Sequence, residues 1–269
     1  MNQRNCLILG SGRSGTSMAA GILAKAGYFM GQDIWAANEN NPKGQFEDRE
    51  VNQINDGLIA SVSGKSPPRG LRKLLFGDAP VLGELQHWVA VLRPGVTIDC
   101  STAMGARIVA VTARRPFCFK DPRFSYTLRA WRPFIGDALL LCVFRDPATT
   151  AASIVRYRER ADYMKDLALD TRQALKVWEA MYRWILEVHY PQGGDWMFVH
   201  YDQLLNHSAD AELARRLGVE IDRDFAAPEL NRSRPGAVVP RRRMVRLYQR
   251  LCALARYDSI RTAAIAAKP

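Results

Sequence analysis

Four stretches of the chain are almost uninterruptedly apolar: NCLIL at 5–9, PFCFK at 116–120, ALLLCVF at 138–144 and WMFVHY at 196–201. Hydrophobicity without alternation over so few residues predicts strands buried on both faces, the condition of a parallel sheet covered by helices. VTID at 96–99 is a weaker fifth strand. Between these runs the period changes. Val51, Ile54, Leu58 and Val62 recur at helical spacing, as do Leu82, Leu85, Val89 and Leu92, and again Leu175, Trp178, Tyr182 and Ile185; each set predicts an amphipathic helix. Strands alternating with helices predict an α/β three-layer sandwich, its central sheet mainly parallel, with a ligand beyond the carboxyl ends of the strands. One domain is expected over all 269 residues. Within it SVSGKSPPRGLRKLLFGDAP, residues 61–80, is dense in Gly, Pro and basic residues and reads either as a lid or as a plain exposed connection.

The first apolar run continues into LILGSGRSGTSMAAGIL, residues 7–23, where a glycine-rich turn opens a helix. Backbone N–H groups at a helix N-terminus lack intrahelical partners and attract anions. Gly10, Gly12 and Gly15 fit the dinucleotide pattern G-x-G-x-x-G, yet Asp33, which has the spacing of a ribose-binding acid, does not end a convincing strand. Gly10, Gly15, Thr16 and Ser17 fit G-x-x-x-x-G-K-[ST] without its lysine, which counts against an ATP- or GTP-dependent enzyme. The cation stands inside the loop instead, at Arg13. The fold expected is therefore of the P-loop nucleotide-binding type.

Charge strengthens the anion reading. The formal charge is +11, and the 38 basic residues divide into 8 Lys and 30 Arg, a bias toward the side chain that grips phosphate or sulfate with paired hydrogen bonds. Nucleic acid is not the expected partner, because recognition elements and zinc ligands are missing. The densest basic segment, PRRRMVRLYQR at 240–250, keeps Met244, Leu247, Tyr248 and Leu251 at helical spacing, so Arg241, Arg242, Arg243, Arg246 and Arg250 read as a solvated face that leaves contact with anionic lipid open. The five cysteines include no C-x-x-C pair, and Cys6, Cys118 and Cys142 fall in strand-like runs, so they read as reduced core residues. No apolar stretch is long enough for a signal or a membrane span, and a cytoplasmic protein is expected.

Several segments resemble sulfotransferases that use 3′-phosphoadenosine 5′-phosphosulfate (PAPS). GSGRSGTS is similar to the family's 5′-phosphosulfate loop, with Gly12 where that pattern has proline; the resemblance assigns donor binding to Gly12, Arg13, Ser14, Gly15, Thr16 and Ser17. CVFRDPATTAASIVR, 142–156, resembles the 3′-phosphate motif, which assigns that phosphate to Arg145 and Ser153. FCFKDPRFS, 117–125, resembles a strand-end Lys-Asp-Pro motif in tyrosyl-protein and bacterial members, and nominates Lys120 to hold the transferring group. NNPKGQFEDRE at 40–50 and VHYDQLL at 199–205 are similar to further family segments, the second as scaffold. NRSRPGAVVPRRR, 231–243, loosely resembles a late loop over the 3′-phosphate and nominates Ser233 and Arg234.

The resemblance implies sulfuryl transfer from PAPS to a hydroxyl, leaving 3′-phosphoadenosine 5′-phosphate (PAP), with Arg13 and Lys120 countering the charge and no metal. Its general base is a glutamate or histidine near the acceptor. Glu47 is the first candidate, since it follows the turn NPKG and starts an amphipathic helix, although acids there also complement the helix dipole; Glu39, Asp48 and His87 are reserves. Family acceptors range over carbohydrates, phenols, lipids, tyrosine side chains and peptide natural products, so a small-molecule or glycan acceptor is expected. Trp35, Trp88 and Trp131 are candidates to stack on it. A nucleotide kinase with an altered loop and a nucleotide-binding module without transfer activity remain as alternatives.

Overall fold

The computed structural model describes residues 3–37, 41–63, 82–83, 85–226 and 238–258. Ser233, Arg234, Glu39 and nearly all of the candidate lid lie outside these residues. Four strands, β1 (Cys6–Leu9), β2 (Cys118–Lys120), β3 (Leu139–Phe144) and β4 (Asp195–His200), form a parallel sheet in the order β2-β1-β3-β4. Cys6 stands opposite Cys118 on one side and Leu139 on the other, and Leu139 opposite Asp195. Because β1 is central and the connections leave it in opposite directions, a crevice opens beyond its carboxyl end.

Alternation across the sheet builds two cores. Leu7, Leu9, Leu140, Cys142 and Phe144 point to one face, Cys6, Ile8, Leu139, Leu141 and Val143 to the other. The first face is covered by α2 (Arg49–Ser63), α3 (Thr102–Thr112), α4 (Phe124–Ile135), α5 (Pro147–Arg160), α6 (Thr171–Arg183) and α9 (Arg242–Leu254), the second by α1 (Thr16–Lys25), α7 (Tyr201–Leu205) and α8 (Asp210–Leu217). The result is the three-layer α/β sandwich. Local signals set several helix starts. Asp146 accepts from the Thr149 amide at 2.7 Å with Pro147 in the first turn of α5, and Asp170 and Gln173 make a reciprocal capping box on α6.

Two expected elements differ. Residues 96–99 form no strand; Ile98 is buried from an irregular segment, which accounts for the apolar signal. The Leu82–Leu92 pattern is not an amphipathic helix either. Among the described residues there only a short 3-10 turn, His87–Val89, forms, and the run is apolar because Trp88, Val89 and Ala90 are pressed against the core by a non-helical segment. All five cysteines are free, and Cys100 is the exposed one. No described helix is long and apolar enough to cross a membrane.

Candidate functional site

Loop 10–15 turns back at the end of β1 and is anchored by distant side chains. The Gly10 amide donates to Oγ of Ser125 (3.3 Å) and the Ser11 amide to the hydroxyl of Tyr182 (3.2 Å), which itself donates to the Val143 carbonyl (2.8 Å). Gly10 has φ 131°, and a Cβ there would stand 2.1 Å from that carbonyl oxygen, so the close passage over β3 requires glycine. Gly15, at φ 97°, starts α1 without a side-chain cap. The amides of Thr16 and Ser17 thus open the helix with no intrahelical acceptor. The Ser14 amide donates to the Ser11 carbonyl at 3.2 Å within the loop, and its side chain is buried. Gly12, in the place of the family's proline, is filled from outside, since a Cβ on it would lie 2.6 Å from the Trp88 ring.

Arg13 takes a left-handed backbone, φ 68°, that swings its side chain across the crevice. Its Nε donates to Oγ of Ser153 (3.4 Å) and Nη1 to Oδ1 of Asn41 (2.9 Å), and its guanidinium lies 5.1 Å from the centre of the Tyr157 ring. Arg145 leaves the end of β3 and rests 4.1 Å from the centre of the Tyr201 ring. That same ring abuts Gly15, whose Cβ position lies 2.4 Å from Cδ2 of Tyr201. The phosphate loop and Arg145 therefore share one phenol ring as support, and Arg13 joins the loop to Ser153 on α5. VHYDQLL supplies this ring. Burial lowers the pKa of both guanidinium groups, and their mutual repulsion lowers that of Arg13 further; both stay charged. Asp146, whose Oδ1 accepts from the Thr149 amide, also attracts the Arg145 charge, as does Asp202.

A cavity of about 170 Å³ opens beside the loop, and Gly12, Arg13, Thr16, Ser17, Glu47 and Lys120 are among the residues that line it. Lys120 is the last residue of β2, and its ammonium group, nearly inaccessible, donates to Oγ of Ser17 at 3.2 Å and pairs with the carboxylate of Glu47. Glu47 is not in the first turn of α2. It precedes the helix and its cap, in a segment tied to Trp35 by the bond from the Trp35 amide to the Glu47 carbonyl (3.0 Å). The helix-dipole reading therefore fits Glu50 rather than Glu47. Both carboxylate oxygens of Asp48 are engaged: Oδ1 caps the Val51 amide and Oδ2 accepts from the Asp33 amide, each at 3.0 Å. His87 is buried 3.3 Å from Asp56 and does not line the cavity. Trp35 and Trp88 do line it, whereas Trp131 is a core residue donating to Asn55 (2.8 Å).

Pattern reasoning missed Arg123, Tyr157, Tyr163, Asn52 and Leu85, all of which line the cavity. Arg123 was within sight, three residues past Lys120 in KDPR. It is buried against Asp121 (3.2 Å) and Asp56 (2.6 Å), and these carboxylates hold its pKa above the ordinary value despite burial, which alone would lower it. The described residues contain no cluster of three or more His, Cys, Asp or Glu placed to hold a metal ion.

No curated protein matches the chain. Among solved structures, the sulfotransferase domain from the Synechococcus PCC 7002 olefin synthase is 15% identical with a TM-score of 0.47, covering 96% of this chain and 98% of its own. The sulfotransferase domain from the curacin biosynthetic pathway is 16% identical with a TM-score of 0.46, covering 96% and 99%. The model of the sulfotransferase family matches residues 6–223, which takes in the phosphate loop, Glu47, Lys120, Arg145 and Ser153, and the chain belongs to that family.

Proposed function

We propose that this sulfotransferase moves the sulfuryl group of PAPS to the hydroxyl of a small-molecule or glycan acceptor. The observation that carries the reading is the sharing of Tyr201: Gly15, the residue that opens α1, and the guanidinium of Arg145 lie against one ring, with Arg13 reaching Ser153 across the crevice. A ligand anionic at both ends suits that arrangement. The 5′-phosphosulfate would meet Gly12, Arg13, Gly15, Thr16 and Ser17, and the 3′-phosphate Arg145 and Ser153.

In the transfer, an acceptor oxygen bonds to sulfur while the bond from sulfur to the 5′-phosphate oxygen breaks; PAP departs with that electron pair and the acceptor loses its proton. Arg13 and Lys120 counter the charge growing on the departing phosphate. The proton goes to Glu47, the one carboxylate among the described residues that line the cavity. Its pairing with Lys120 keeps the base next to the cation that would hold the sulfuryl group, so both act on the same reacting centre.

Thermal denaturation with PAP and with ATP plus magnesium tests the donor. Stabilisation by PAP without metal is expected, and stabilisation by ATP–magnesium alone would return the reading to a nucleotide kinase. Transfer of labelled sulfate from PAPS to an acceptor panel then separates an enzyme from a nucleotide-binding module.

A further inference from the structure

Two buried charges grip a single residue that lines the cavity. The Leu85 amide donates to Oδ2 of Asp56 at 2.8 Å, and its carbonyl accepts from Nη2 of Arg123 at 3.1 Å. Asp56 and Arg123 are themselves paired at 2.6 Å, so the ion pair closes over both polar groups of one peptide residue. Leu85 has φ 66°, a left-handed backbone that leucine rarely adopts. A disfavoured conformation persists only where its surroundings over-determine it, and such positions gather at binding sites. Here the surroundings are the clamp, and the residue held lines the cavity.

What the clamp displays is an uncharged wall. Besides Lys120 and Glu47 the cavity is faced by Trp35, Leu85, Trp88, Pro122, Tyr157 and Tyr163, together with the uncharged polar Asn41, Gln45 and Asn52. The aromatic members are locked together: Nε1 of Trp88 donates to the Tyr163 hydroxyl (3.2 Å), which is 3.3 Å from that of Tyr157, and Trp88 meets the Tyr157 ring edge-on. Arg123 also borders the cavity, but Asp56, Asp121 and the Leu85 carbonyl take up its guanidinium from three directions. We propose that Leu85, held left-handed by the Asp56–Arg123 clamp, is a specificity-determining residue of the acceptor subsite, and that the subsite takes an uncharged ring. The proposal rests on the sulfotransferase reading for the orientation of the cavity, with the donor at the Lys120 end.

Leu85→Gly and Leu85→Ala test it, with 2-naphthol as the ring probe and PAP as the donor-site probe, both followed by calorimetry. Glycine relieves the left-handed backbone and alanine keeps it, while both remove the wall contact. The expected result is 2-naphthol binding to the wild type, weakened roughly tenfold in both variants as expected for losing one apolar side-chain contact, with PAP affinity unchanged and the melting temperature of Leu85→Gly equal to or above wild type. Unchanged 2-naphthol affinity in the variants, or no 2-naphthol binding by the wild type, overturns the subsite. So does loss of stability and PAP affinity together in Leu85→Gly, which would mark a merely structural leucine. The 2-naphthol titration is run with and without PAP, so failure of PAP to bind overturns the donor reading while the wall is still measured.

Discussion

Replacing Gly15 by alanine strikes the contact on which the donor site is built. Two costs add. The residue sits at φ 97°, ψ 8°, and an L side chain in the left-handed region costs about 1–2 kcal/mol. The new methyl would stand 2.4 Å from Cδ2 of Tyr201, more than 1 Å inside ordinary carbon contact, so the ring must move; displacing a packed side chain costs about 1–3 kcal/mol. Gly15→Ala should therefore lose about 2–5 kcal/mol in urea denaturation. The same ring supports Arg145, so PAP affinity measured by calorimetry should fall more than about tenfold. A double-mutant cycle separates the two costs. In a Tyr201→Ala background the ring is gone, and Gly15→Ala should cost only the backbone part, about 1–2 kcal/mol. An equal cost in both backgrounds would refute the claim that the loop and Arg145 share this support.

Other outcomes follow from the same geometry. Arg145→Ala should weaken PAP binding by about 10- to 100-fold, the worth of a charged hydrogen-bonded pair, with little change in melting temperature. Glu47→Gln should abolish sulfate transfer while PAP still binds; full turnover in a radiolabel assay would remove Glu47 as the base. Asp56→Ala removes the nearest carboxylate from buried Arg123, leaving Asp121 and Glu47 to counter its charge, and should cost about 3 kcal/mol in denaturant unfolding. Burial depresses His189 and His200 to about 4 in the folded chain, with the Arg132 charge adding to the effect on His189. Above their unfolded value near 6.5 both contributions are fully present; as pH falls toward 4 the unfolded chain takes up protons that the folded one refuses, and about 3 kcal/mol is lost at each site. His200→Gln should flatten that part of a melting-temperature profile between pH 7 and 4.

The sheet was legible because buried parallel strands leave a signal in composition alone: each of the four apolar runs became a strand within a residue or two. The Leu82–Leu92 segment was misread because burial, not helix, set its pattern. Leu85, Trp88 and Val89 are apolar since they cover the core and the cavity, and periodicity does not tell a helix from a segment wrapped over a core. In the candidate site, residues at strand ends stood out, since a charge directly after an apolar run is conspicuous, as at Lys120 and Arg145. The clamp left no such trace. Asp56, Leu85 and Arg123 lie dozens of residues apart, and only the packing of α2 against the end of β2 brings them together. Asp48 and Glu47 show the same limit at close range: they are neighbours of like charge, and one is spent on a helix cap while the other reaches a lysine 73 positions away.

The tryptophan over Gly12 gives the phosphate loop an unusual dependence. Where proline would stiffen such a turn through its own covalent ring, here the stiffness is borrowed from a side chain of a different segment, one that also faces the cavity. A molecule that shifts the indole thereby changes how well the turn is held, and a well-held turn in return favours one placement of the indole. The turn and the cavity wall thus meet at a single aromatic plate.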